Sequence, residues 1–136
     1  LGNQGISHKN QGHITQANDL YQKQLSLARQ LGDQQIIANC LTNLGNLHTG
    51  QGKTTSAIKL HQEALEIFKT LGYKSSTAAT HFNIACAMAE ETRLVDAVTQ
   101  AEIALNIFQE IQDPAAAIVN SQLALWQSES QDKEAV

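Results

Sequence analysis

One spacing governs what this chain can fold into: residues of the same kind return every 40 positions along its 136 residues. Asn3, Asn43 and Asn83 coincide on that register, as do Ala17, Ala57 and Ala97, and Leu25, Leu65 and Leu105. Gly5 and Gly45 meet Ala85, Gly12 meets Gly52, and Leu31, Leu71 and Ile111 stand near the end of each copy. The first two copies are identical at 14 of 40 positions, the second and third at six. A period of this length marks stacked supersecondary units, none of which can bury its apolar face alone. The chain therefore divides as one array: residues 1–40, with a truncated first helix, then 41–80, 81–120, and a partial fourth copy at 121–136.

Within a copy the apolar period is helical. Ala57, Leu60, Ala64, Leu65, Phe68 and Leu71 lie mostly three or four apart, which puts them on one buried stripe. Gly32 and Gly72 follow the last residues of such stripes, where a left-handed residue ends a helix, and Asp113 before Pro114 has the pattern of an N-cap and a first-turn proline. Leu1 falls inside a first helix, and further helices are expected over roughly 14–31, 34–50, 54–71, 74–90, 94–111 and 114–130. The expected break between the first two thus falls near Gly12. Connections of two or three residues force neighbouring helices antiparallel. The small residues Gly45, Ala57, Ala64, Ala85, Ala97 and Ala104 let paired helices approach closely. Aromatic residues make up only 4% and proline occurs once, in keeping with an all-α fold packed through Ala, Leu and Ile.

Charge and motif content then remove function classes. A net charge of −4 offers no basic stripe to nucleic acid or to an anionic membrane. No apolar run approaches the roughly 20 residues that span a bilayer. Cys40 and Cys86 have no partner spacing for a disulfide framework or a zinc site, and a reducing, cytoplasmic compartment is expected. His8 and His48 are related by the repeat itself and occupy the aromatic core position, so partly buried, hydrogen-bonded imidazoles are expected there rather than ligands or bases, and His61 likewise replaces a core aromatic. The Gly50–Thr54 stretch lacks the glycine spacing and the preceding strand of a phosphate loop and is expected to be a turn. Glu90 and Glu91 project from different sides of a helix end. No catalytic residue, cofactor or metal is expected, and an enzyme is the remote alternative.

The second copy resembles the tetratricopeptide repeat. Leu41, Leu44, Gly45 and His48 stand where that family has Trp, Leu, Gly and Tyr, and Ala57, His61 and Ala64 where it has Ala, Phe and Ala. The third copy carries Ile84, Ala85, Met88, Ala97, Ala101 and Ala104 at those places, while the first has Gln4 for Leu and Gln24 for Ala. The period of 40, the Asn-Leu-Gly start and the Ala64–Gly72 finish resemble the longer repeats of kinesin light chains, spindle-orientation adaptors, bacterial peptide-pheromone receptors and large bacterial signalling ATPases. The resemblance implies a right-handed superhelix of antiparallel hairpins whose concave face is built mainly from the first helix of each hairpin.

On that register the expected groove holds Asn39, Thr42, Asn46 and Thr49 in the second copy and Phe82, Cys86 and Ala89 in the third. Asn3, Asn43 and Asn83 lie along its margin, and Trp126 takes a groove position in the last helix, where it either anchors a ligand or, as is rather expected, packs against a neighbouring helix beyond this stretch of sequence. An asparagine recurring once per repeat can offer its amide donor and acceptor to successive peptide groups of an extended ligand; the same amides could instead bridge neighbouring helices. A clamp for acidic tails would need Lys or Arg where Thr42, Thr49, Phe82 and Ala89 stand, so a neutral or basic peptide is the expected ligand. The expected function is a protein- or peptide-binding module in a scaffold or signalling protein. A regulatory receptor that changes curvature on binding a peptide is the alternative. The chain is expected to be a fragment of a longer array, and a homodimer through its uncapped ends is a further expectation.

Overall fold

The computed structural model describes the backbone of residues 2–135 and the side chains of residues 11–132. Six helices follow one another: α1 Gly2–Leu31, α2 Gln34–Gly50, α3 Thr54–Leu71, α4 Lys74–Glu90, α5 Leu94–Glu110 and α6 Ala115–Ala135. Each packs on the next, so α2 and α3 form one hairpin, α4 and α5 a second, and α6 packs against α5. No strand occurs among the described residues. The result is an all-α solenoid of antiparallel helix hairpins.

The five turns share one geometry. At each, a residue two or three places past the helix donates its N–H to a carbonyl five residues back: Asp33 to Ala28, Lys53 to His48, Tyr73 to Phe68, Arg93 to Met88 and Asp113 to Phe108, at 2.9–3.0 Å. The residue before it takes the left-handed conformation that satisfies these otherwise orphaned carbonyls. Glycine supplies it at Gly32, Gly52 and Gly72, whereas Thr92 (φ 59°) and Gln112 (φ 56°) hold the same conformation without that freedom. Asp33 caps α2 through the Ile36 N–H, and Asp113 accepts from the Ala115 N–H at the start of α6.

The core follows the small-residue register. Ala57, Ala64, Ala85, Ala97, Ala101 and Ala104 are all fully buried at the helix contacts, with Leu41, Leu44, Ile84 and Phe108 filling the space around them. The tightest approach is that of Gly45 to His61. A Cβ at Gly45 would lie 2.6 Å from the ring Cε1, so only glycine admits the imidazole at that crossing. The ion pairs, such as Arg29 with Glu63 at 3.1 Å and Lys74 with Glu110 at 3.4 Å, are exposed and stabilise by at most about 1 kcal/mol each.

One element departs from the sequence expectation. Instead of breaking near Gly12, α1 runs unbroken from Gly2 to Leu31. The residues that would hold a first hairpin shut are the weak ones: Gln24 replaces the contact alanines Ala64 and Ala104, and Gln4 replaces Leu44 and Ile84. A glycine inside a helix costs only about 1 kcal/mol, so the continuous hydrogen-bond ladder competes well with so poor a contact.

Candidate binding groove

The first helices of the hairpins, α2 and α4, lie side by side with α3 behind them. Asn39, Thr42 and Asn43 of α2 face Ser76, Ala79, Thr80 and Asn83 of α4 across a cavity of about 370 Å³, with Phe68 of α3 as its floor. The helical period explains this grouping: Asn39, Thr42 and Asn43 are three and four apart and share a face, as do Ser76, Ala79, Thr80 and Asn83. Four of the expected groove residues, Asn39, Thr42, Asn43 and Asn83, are thereby brought into one cavity. Asn46 and Thr49 continue the α2 sequence but do not line it.

The threonines and asparagines along this face of α2 and α4, in the cavity and beside it, fall into two kinds. The Thr42 hydroxyl donates to the Ala38 carbonyl at 3.0 Å, Thr80 to that of Ser76 at 2.7 Å, and Thr49 to that of Gly45 at 3.0 Å. Their donors are spent on their own helices. By contrast, among the described residues nothing is hydrogen-bonded to the Asn39, Asn43, Asn46 or Asn83 amides, and neither Asn39 nor Asn43 is buried. The described structure thus contains no asparagine bridge between helices.

A second cavity, of about 410 Å³, lies one interval further on between α4 and α6, lined by Cys86, Ala89, Glu90, Gln122 and Trp126. Trp126 is not held in reserve for a further helix. It is 7% exposed and packs inward on Phe82, ring centroids 6.0 Å apart at 38°. The Cys86 thiol has its pKa pushed up by burial and then by the Glu90 carboxylate, so it stays protonated and contributes a polarizable wall rather than a nucleophile. On the other side, a cleft of about 340 Å³ between α1 and α2 shares Asn39 and Asn43 with the central cavity. Among the described residues, Glu90 is the sole charged one lining the three. The Asn3 side chain lies outside the described residues.

His48, His61 and His81 occupy structural positions, while the His8 side chain lies outside the described residues. His48 exchanges a hydrogen bond with Ser56 at 2.7 Å, and His81 with Gln100 at 2.8 Å. His61 is fully buried with neither ring nitrogen hydrogen-bonded, and burial lowers its pKa to about 4. Repeat alignment identified His61 as a core residue. That its nitrogens go unpaired could be read only from three dimensions, because the Gly45 backbone faces the ring where a partner would stand. No helix is long and apolar enough to cross a membrane among the described residues.

Comparison with known proteins agrees with this geometry. A family model described as tetratricopeptide repeat matches residues 1–70. Among solved structures, that of BtubC (BKLC) from P. vanneervenii superimposes with a TM-score of 0.80 at 21% identity, covering 91% of this chain and 52% of that one. A likeness at such identity shows the fold, a right-handed solenoid of hairpins, and this chain spans about half the length of the solved relative. No curated protein matches the sequence.

Proposed function

This chain belongs to the tetratricopeptide repeat family, and we propose on that footing that the face formed by α2, α4 and α6 holds an extended peptide segment of a partner protein. Arrays of this family mediate contacts between proteins, which is the general role of the chain. The observation that supports the finer reading is the set of unpaired carboxamides at Asn39, Asn43 and Asn83 around one open, uncharged cavity. Each can accept from a ligand N–H and donate to a ligand carbonyl, which satisfies an extended backbone without reading its side chains. Side-chain preference then falls to the neighbouring spaces. The cleft of Leu27, Leu31 and Ile36 suits an aliphatic group, and the Glu90 and Trp126 cavity suits a neutral or basic one.

The test is selection of binders from a displayed peptide library, followed by polarisation titration of the selected peptides. Removing one amide contact costs about 0.5–1.5 kcal/mol, so Asn43→Ala and Asn83→Ala should each weaken binding by roughly two- to ten-fold, with matched thermal melts. Peptides that bind the parent chain and both variants equally would place the ligand elsewhere.

A further inference from the structure

The cavity between α4 and α6 differs in kind from its neighbour in the same groove. Cys86, Ala89 and Glu90 stand three and four apart on one face of α4, and Gln122 and Trp126 stand four apart on one face of α6, so each helix turns one wall to the space. One repeat earlier, Asn46, Thr49 and Gly50 hold the places of Cys86, Ala89 and Glu90, and Phe82 and Cys86 hold those of Gln122 and Trp126. That earlier interval has neither a carboxylate nor an indole, so the packing of the repeat does not call for them.

The scaffold makes no use of the Glu90 carboxylate. It is exposed at the last residue of α4, the negative end of the helix dipole, where an acidic group is unfavourable. Among the described residues it forms no ion pair. Arg93, the basic residue nearest to it in the sequence, is held by Asp96 through its Nε at 3.2 Å and an Nη at 3.1 Å. The charge of Glu90 nevertheless reaches the cavity, since burial first and this carboxylate second push up the Cys86 thiol. A negative charge and a helix C-terminus thus bear on one space whose other wall carries an indole.

We propose that this cavity receives an arginine side chain of the partner segment. A guanidinium matches each group there. Its flat face lies against the Trp126 indole, two of its N–H groups fork to the Glu90 carboxylate, and a third donates to the Gln122 amide oxygen. Cys86 and Ala89 supply apolar surface for the methylene stem. An ammonium is more strongly hydrated and has no plane to stack, so lysine gains less. Phe82, 6.0 Å from Trp126 between ring centroids, backs the indole and holds it before the ligand arrives, which leaves little ordering for binding to impose. The partner's being a peptide rests on the reading of α2, α4 and α6 as a groove; the choice of arginine rests on the cavity itself.

Trp126 is the only tryptophan, so its indole N–H gives a single peak in a nitrogen–proton correlation spectrum of the 136-residue chain. N-acetyl-arginine amide should shift that peak saturably, with the lysine and the uncharged citrulline derivatives at least about five-fold weaker. Glu90→Gln should weaken the arginine derivative by roughly three- to ten-fold while the thermal melt stays unchanged. No shift, or an equal one from citrulline or in Glu90→Gln, would overturn the proposal. Selection from the displayed library separates this pocket from the groove: bound peptides should share one arginine, and selection on Glu90→Gln should lose that preference. Peptides whose binding depends on Asn43 and Asn83 but which show no arginine preference would overturn the pocket and leave the groove standing. An arginine preference that persists, at unchanged affinity, in Asn43→Ala and Asn83→Ala would support the pocket and overturn the amide reading.

Discussion

The crossing of Gly45 and His61 gives the strongest test of the packing. A methyl group at residue 45 would stand 2.6–2.9 Å from three ring atoms of an imidazole that is fully buried and cannot swing away. Overpacking of this kind costs about 1–3 kcal/mol, against which alanine gains about 1 kcal/mol over glycine in a helix interior. Gly45→Ala alone should therefore destabilise by up to about 2 kcal/mol. In a His61→Ala background the clash is gone and the propensity gain remains, so the same substitution should stabilise by about 1 kcal/mol. The third copy already carries that pair, Ala85 with Ala101, both fully buried. A double-mutant cycle by urea denaturation should return a coupling of about 1–3 kcal/mol, with a reversal of sign between backgrounds. Effects of Gly45→Ala that agree within about 0.5 kcal/mol in the two backgrounds would refute the contact.

The unpaired imidazole makes stability depend on pH. His61 titrates near 4 in the folded chain and near 6.5 unfolded, so its contribution is complete above about 6.5 and is lost as pH falls toward 4. The loss should reach about 2 kcal/mol at pH 5, and His61→Leu should remove that part of the slope in urea midpoints measured from pH 7.5 to 4.5. Thr92 is a β-branched residue at φ 59°, so Thr92→Gly should raise stability by about 0.5–1 kcal/mol in a thermal melt; an unchanged or lower melting temperature would argue against strain at that turn. Ala97 is fully buried at the α4 and α5 contact, and Ala97→Leu should cost about 1–3 kcal/mol, an outcome checked by the same melt and contradicted by no loss.

Much of the architecture was legible because its determinants are local. Helix ends at Gly32 and Gly72, the cap at Asp113 and the buried stripe through Ala57, Ala64 and Phe68 each follow from a few neighbouring residues. What escaped the sequence depends on balances between distant groups. Whether α1 breaks at Gly12 is decided by the hairpin contact it would gain, not by the glycine, which is compatible with both states. The left-handed Thr92 and Gln112 carry no glycine signal; only their alignment with Gly52 and Gly72 points to them. Trp126 looked like an end residue awaiting a neighbour, because its partner Phe82 lies 44 positions away on α4.

The groove shows how one helical face can be both rigid and receptive. A threonine hydroxyl sits on Cβ, close enough to return its donor to the carbonyl four residues back, as Thr42, Thr49 and Thr80 do. An asparagine on the same face has two donors and an acceptor on a terminal amide, more than its own fully bonded helix can accommodate. Alternating the two along α2 and α4 leaves the hydroxyls satisfied within the scaffold and directs the unmet hydrogen-bonding capacity outward from Asn39, Asn43 and Asn83. Among the described residues only Glu90 is a charged one lining the three spaces, so the proposed recognition depends on hydrogen bonding and shape, with charge discriminating at the Glu90 end.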